Sequence, residues 1–218
     1  MTNSSNEHIV LLHGLARTSR SMRSLQRFLE AQHYHVHNLD YPSRHHKIED
    51  LFAQHLAPQI EKLQKKFPKQ TIHFVTHSMG GILVRAYLAK HVMPNLGRVV
   101  MLSPPNQGTE IVDRLRHLPG FSLINGPASL ELGTDPMAVP QKLTPVNFAL
   151  GVITGNKSLN FLFSRILTGA NDGIVSEAHA KVQGMHDFLV VPHSHTFIMN
   201  AKMVHEQTLH FLRQGKFR

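Results

Sequence analysis

Residues 72–81 read IHFVTHSMGG, an apolar run that stops at a histidine and a serine, with two glycines behind them. Two readings compete. In the plainer one, a strand ends in a turn and Ser78 caps the following helix. In the other, strand, tight turn and helix form an elbow that lifts the Ser78 hydroxyl above the end of a sheet. Such a turn demands small residues two places before and two places after the serine. Gly80 meets that demand, whereas Thr76 is compact but is not the usual glycine. In the elbow reading the Met79 N–H stands at a helix N-terminus, where it can stabilise an oxyanion. His77 and Gly80 are then the supports of the turn.

The surroundings favour the elbow. Short β-rich apolar runs at 8–12, 34–39, 71–76, 97–102, 147–153 and 187–191 alternate with amphipathic stretches. Helices are expected over 21–32, over 48–67 with a bend or restart at Pro58, over 80–92, and over 196–213. This pattern predicts an α/β fold, with a mostly parallel sheet of about six strands and helices on both faces. It fits one domain over residues 1–218. Ligands of such sheets sit beyond the carboxyl ends of the strands. Between 103 and 145 the rhythm breaks into a Gly- and Pro-containing stretch with one short helix expected at 109–117, a candidate cap or lid.

Four stretches together resemble the α/β-hydrolase superfamily, and within it the small bacterial lipase- and esterase-like serine hydrolases. They are His13-Gly14-Leu15 after the first strand, THSMGG at 76–81, Asn171-Asp172-Gly173-Ile174-Val175, and Ser194-His195-Thr196-Phe197. They span nearly the whole chain in that family's order of oxyanion loop, serine, acid and histidine. The resemblance implies a minimal version of the fold that lacks the two leading strands. It further implies a Ser-His-Asp triad, an acyl-enzyme intermediate and hydrolysis of carboxylic esters, with no cofactor and no metal.

A serine hydroxyl needs a base to take its proton, and that base needs a carboxylate to hold its tautomer. Of the 18 histidines, His195 follows the last strand through Pro192 and opens the final helix, where the family places its base. His193 is the close rival; His179 and His186 lie further from a strand end. Asp172, in a Gly-flanked loop between the last two strands, is the preferred acid, against a plain Asn-Asp-Gly turn. Asp187 starts a strand, at the wrong end of the sheet, and Asp113 and Asp135 lie in the irregular stretch. In the first loop Gly14 permits an unusual dihedral and Leu15 N–H matches the second oxyanion donor, with His13 in support.

Composition bounds the rest. The chain has 218 residues, no cysteine and a net charge of +9. It therefore has no thiolate nucleophile and no disulfide framework. The N-terminal residues have no basic n-region and no long apolar run, which reads as a cytoplasmic chain. Scattered lysines and arginines suit a solvated surface better than nucleic acid. Weak contact with an anionic membrane surface is a further expectation from charge. His33, His35 and His37 alternate and would share one strand face, a weak zinc or nickel signal without a carboxylate nearby.

The apolar stock of 103–145, with Phe148, Phe161, Leu162 and Phe163 beside it, points to an ester substrate with a hydrophobic acyl group. The same residues would serve a thioesterase or an acyltransferase. A non-catalytic basic binding protein of the same fold is the alternative from another class.

Overall fold

The computed structural model describes residues 6–159 and 161–218. One sheet is built from β1 (His8–Leu12), β2 (His35–Leu39), β3 (Ile72–His77), β4 (Leu96–Leu102), β5 (Leu150–Gly155) and β6 (Asp187–Val191). The strand order is β2-β1-β3-β4-β5-β6, and every neighbouring pair is parallel. β5 begins later than the expected 147, because its ladder with β4 opens at Val99 and Leu150. Just before it, the Val146 N–H donates to the Gln183 carbonyl instead.

Side chains alternate across each strand, so the sheet carries two separate cores. On one face Val10, Leu12, Phe74, Met101 and Val152 pack with Ile60, Ile82 and Leu83. Those helical residues belong to α2 (Ala57–Lys66) and α3 (Met79–Lys90). On the other face Ile9, Leu11, Val75, Val100 and Ile153 meet Leu25, Leu29, Val204 and Phe211. These belong to α1 (Arg23–Glu30) and, at the far end of the chain, to the helix Lys202–Gln214. The two faces thus receive helices from different parts of the sequence, as a doubly covered parallel sheet requires.

The long second helix shows how the chain accommodates Pro58. Ile48–Asp50 is α-helical, Leu51–Leu56 widens to a π-helical turn, and α2 resumes at Ala57. Proline has no N–H to donate and crowds the preceding turn. The expected restart is thus present at Pro58, with the widened turn directly ahead of it.

The final helix begins later than expected. Phe197 and Ile198 N–H groups both turn back to the Ser194 carbonyl, at 3.2 and 3.0 Å. His195 therefore sits in a tight loop, ahead of a 3-10 turn at Ile198–Asn200, and not on the helix itself. Residues 103–145 hold more helix than the single one expected. Besides Glu110–Leu115 there are one-turn pieces at Phe121–Asn125, Pro127–Leu130 and Val139–Lys142. Left-handed Gly120 and Gly126 separate the first pieces, leaving no periodic run long enough to read from sequence.

His35 and His37 do share a face, where they meet His8 of β1. His8 Nδ1 lies 3.0 Å from His37 Nε2, and Phe67 stacks on His8 at 3.9 Å between ring centres. His33 lies outside the strand with a φ of 68°. Among the described residues no group of three or more His, Asp or Glu side chains is arranged to hold a metal. Nor, among them, is any helix long and apolar enough to cross a membrane.

Candidate active site

The sheet's strand order reverses direction between β1 and β3, and the chain ends of these two strands lie side by side. Leu12 is in register with Thr76, so the loop after β1 meets the turn after β3. Ser78 occupies that turn with φ 53° and ψ −125°, a conformation that costs an L-residue on the order of 1–3 kcal/mol. Neighbours hold it there: Ser78 N–H donates to the Leu102 carbonyl and Gly81 N–H to the Ser78 carbonyl, both at 2.9 Å. A Cβ on Gly80 would stand 2.8 Å from the carbonyl oxygens of both Leu12 and His13. The small residue demanded there is thus a packing requirement against the end of β1. Thr76 is wholly buried, and among the described residues its hydroxyl has no hydrogen-bond partner.

Ser78 Oγ lies 2.9 Å from His195 Nε2, and His195 Nδ1 lies 2.9 Å from Asp172 Oδ2. Asp172 Oδ1 accepts the N–H groups of Ile174 and Val175 at 3.0 and 2.8 Å. The Asp172 carbonyl accepts the His195 N–H at 3.0 Å, so the acid loop and the histidine loop are tied by backbone as well as side chain. Burial pushes the Asp172 carboxyl up, but His195, the Val175 N–H and the Ser103 hydroxyl together hold it below its ordinary value. Ser103 is not apparent as a site residue in the sequence. It directly follows β4, is wholly buried, and has a left-handed φ of 47°. The only signal of it was a serine placed directly after a strand.

The rival residues lie elsewhere. His179 Nδ1 pairs with Glu110 at 3.0 Å, and His186 Nδ1 accepts the Leu150 N–H. Asp113 accepts from Thr134, Asp135 pairs with Arg116 at 2.8 Å, and Asp187 accepts the Phe188 and Phe217 N–H groups. His193, unlike His195, does not line the cavity beside Ser78.

The loop after β1 is fixed from two sides. His13 Nδ1–H donates to the Gly14 carbonyl at 2.8 Å, and Tyr41 stacks on the His13 ring at 4.1 Å while its hydroxyl donates to the His13 carbonyl. Because the peptide is trans, the Leu15 N–H points away from the Gly14 oxygen that His13 holds. A Cβ on Gly14 would stand 2.9 Å from His77 Nδ1 and 3.0 Å from Ser78 Cβ, so only glycine lets the loop approach the elbow this closely. The Met79 N–H, first in α3, has no intrahelical acceptor by its position. His77 also reaches across the site, with Nε2 3.0 Å from the His195 carbonyl oxygen. Burial, then the charge of His195, keeps the His77 pKa well below its ordinary value. The ring is therefore neutral and donates its Nε2–H to that carbonyl. This contact across 118 positions has no sequence signal.

A cavity of about 630 Å³ opens at Ser78 and His195, within the range of about 300–1,000 Å³ usual for small-molecule sites. Its far wall is apolar and comes largely from the 103–145 segment, through Val112, Leu115, Leu118, Phe121 and Leu132, with Phe163 opposite. Phe148 packs instead on the first core, Leu162 is 70% exposed, and the Phe161 side chain lies outside the described residues. The segment is anchored to the acid loop by the Thr109 hydroxyl, which donates to the Ile174 carbonyl.

Comparison with family models finds one match, described as alpha/beta hydrolase fold, over residues 7–121, just over half of the chain. Comparison with curated proteins finds no match. Among solved structures, the mature lipase BlEst2 of Bacillus licheniformis is similar, with a TM-score of 0.74 at 19% identity over 97% of this chain and 94% of that one. The metagenomic carboxyl esterase MGS0156 matches with a TM-score of 0.66 at 19% identity, over 90% of this chain and 66% of that one. Phospholipase PlaB of Legionella pneumophila matches with a TM-score of 0.58 at 19% identity, over 80% of this chain and 45% of that one. At such identities the likeness is one of fold.

Proposed function

We propose, for a chain that belongs to the α/β-hydrolase fold family, that it is a serine hydrolase of carboxylic esters with Ser78, His195 and Asp172 as its triad. The observation that carries this reading is the unbroken line from Ser78 Oγ to His195 to Asp172, with both steps at 2.9 Å, at the mouth of an apolar cavity. Asp172 accepts Nδ1–H and so leaves Nε2 free to act as base. As Ser78 Oγ attacks the ester carbonyl carbon, His195 Nε2 takes the serine proton. The Leu15 and Met79 N–H groups receive the oxyanion. The tetrahedral intermediate collapses by breaking the ester C–O bond, and His195 returns its proton to the departing oxygen. Water, deprotonated by His195, then attacks the acyl-enzyme; the acid leaves and Ser78 regains its hydroxyl.

The strained Ser78 backbone supports the reading as well, since a helix cap needs no such conformation. The segment 103–145 serves as the cap, and its apolar wall receives the acyl chain. The test is labelling by a fluorophosphonate probe together with turnover of p-nitrophenyl esters of rising chain length. Labelling and turnover are both expected, and both are expected to vanish in Ser78→Ala. A folded wild-type protein that takes no label and turns over no ester would overturn the reading.

A further inference from the structure

A second cleft adjoins the catalytic cavity and carries two arginines in its wall. It has a volume of about 470 Å³ and is lined by residues 17–18 and 40–45. Arg17 belongs to the walls of both spaces, so the two adjoin at this residue, next to the loop that carries Leu15. The left-handed Ala16, with φ 54°, turns the chain between these two residues. Arg44 and His45 also line the cleft.

Among the described residues neither Arg17 nor Arg44 is paired with a carboxylate. Asp40 is the one carboxylate lining the cleft, and it is paired with neither arginine. Its Oδ1 accepts the Ser19 N–H at 3.0 Å and lies 3.0 Å from His13 Nε2. The wall is also stiff. Ser43 N–H donates to the Tyr41 carbonyl at 2.8 Å, and His45 N–H to the Pro42 carbonyl at 2.9 Å. A Cβ on Gly126 would stand 2.0 Å from the Arg44 carbonyl oxygen, so the main chain of Arg44 is seated against the 103–145 segment. The positive charge of Arg17 also reaches the centre of the site, where it is among the causes that lower the His77 pKa, after burial and His195.

We infer that this cleft is the leaving-group subsite, and that Arg17 and Arg44 there bind a phosphate carried by the alcohol or thiol released from the acyl chain. The substrate is accordingly an acyl ester or thioester with an apolar acyl part and an anionic, phosphate-bearing leaving part. Two guanidinium forks suit a phosphate's planar pairs of oxygens. The layout of the site supports this assignment: the apolar wall of the cavity comes largely from the 103–145 segment, and the cleft with its two arginines adjoins the cavity at Arg17. When the acyl bond to Ser78 forms and the bond to the leaving oxygen or sulfur breaks, that atom departs with the proton from His195. Its phosphate still rests on the arginines.

The inference rests on the serine-hydrolase reading, and the experiment separates the two. Initial rates are measured on three substrates of one acyl length: 1-octanoylglycerol, 1-octanoylglycerol 3-phosphate and octanoyl-CoA. The phosphorylated ester or the thioester is expected to exceed the neutral ester in kcat/KM by about tenfold or more. Which of the two leads identifies the source of the phosphate. In Arg17→Gln and Arg44→Gln the ratio of anionic to neutral substrate is expected to fall by about tenfold each, mainly through KM. Glycerol 3-phosphate is expected to compete with the neutral ester in the wild type and more weakly in both variants. Turnover of the neutral ester with no phosphate preference, or a preference that both variants retain, would overturn the subsite while leaving the hydrolase standing. No turnover of any of the three, with no probe labelling, would overturn the hydrolase itself.

Discussion

Replacing His77 by leucine tests whether the residue before the serine positions the base. His77 is neutral, and its Nε2–H donates to the His195 carbonyl at 3.0 Å; it is also nearly inaccessible, at 2% exposure. Leucine keeps most of the bulk and removes the donor. The His195 carbonyl then loses its partner in a buried place, which costs about 1–3 kcal/mol. The same carbonyl belongs to the residue whose Nε2 must stay 2.9 Å from Ser78 Oγ. A drift of about 1 Å at such a group lowers turnover by up to about 100-fold. The expected result for His77→Leu is a kcat lower by about 10- to 100-fold at nearly unchanged KM, with a lower urea midpoint. His77→Gln places an amide N–H near the lost donor and is expected to recover much of kcat. The assay is p-nitrophenyl octanoate hydrolysis, with urea unfolding followed in parallel. Wild-type kcat in the leucine variant would refute the positioning role. So would a glutamine variant no better than leucine although equally stable.

Three further outcomes follow from the geometry of the site and its core. Ser78→Gly and Ser78→Ala both abolish turnover, but only glycine relieves the φ of 53°; denaturant titration is expected to find it more stable than the alanine variant by about 1 kcal/mol. Thr76→Val replaces a wholly buried, unpartnered hydroxyl by a methyl of the same shape, and is expected to raise unfolding stability by about 1 kcal/mol without loss of activity. Stability falls with acid: burial, then Arg98, pulls the His73 pKa down to about 4, so the unfolded chain takes the proton first. The stabilisation is fully present above pH about 6.5 and is lost as pH falls from there toward 4, roughly 3 kcal/mol in all. Urea midpoints measured against pH are expected to show this slope, and a shallower one in His73→Leu.

Local signals carried much of the site because Ser78 directly follows β3, His195 lies shortly after β6, and Asp172 lies in the loop between β5 and β6. Ser78, Asp172 and His195 could be chosen from strand ends and loop chemistry, and the structure brings them within hydrogen-bond distance. Gly80 was legible for its size, although its reason, the Leu12 and His13 carbonyls, lies on another strand. The sheet was legible from alternation alone, since parallel strands read as short apolar runs. What stayed hidden was non-local. The clamp of Tyr41 on His13 crosses 28 positions, and the Ser103 N–H reaches the Ile153 carbonyl only once β4 and β5 are paired. The small helices of 103–145 were missed because single turns divided by Gly120 and Gly126 have no period to detect.

The departure at Thr76 is instructive about what an elbow needs. The usual glycine two residues before the serine would make room in the turn, but in this chain the space is set by the strands on either side. Thr76 is in register with Leu12 of β1 and with Met101 of β4, and its side chain is wholly enclosed. The close approach falls instead on Gly14 and Gly80, where an added Cβ would meet atoms at 2.9 and 2.8 Å. A β-branched residue is tolerated before the serine because it still belongs to the strand, where branching fits. Smallness is required one strand over and one turn later, where loop and helix approach the serine. The strict glycines of this site are therefore Gly14 and Gly80, and a side chain at either would push the loop after β1 away from the elbow that carries Ser78.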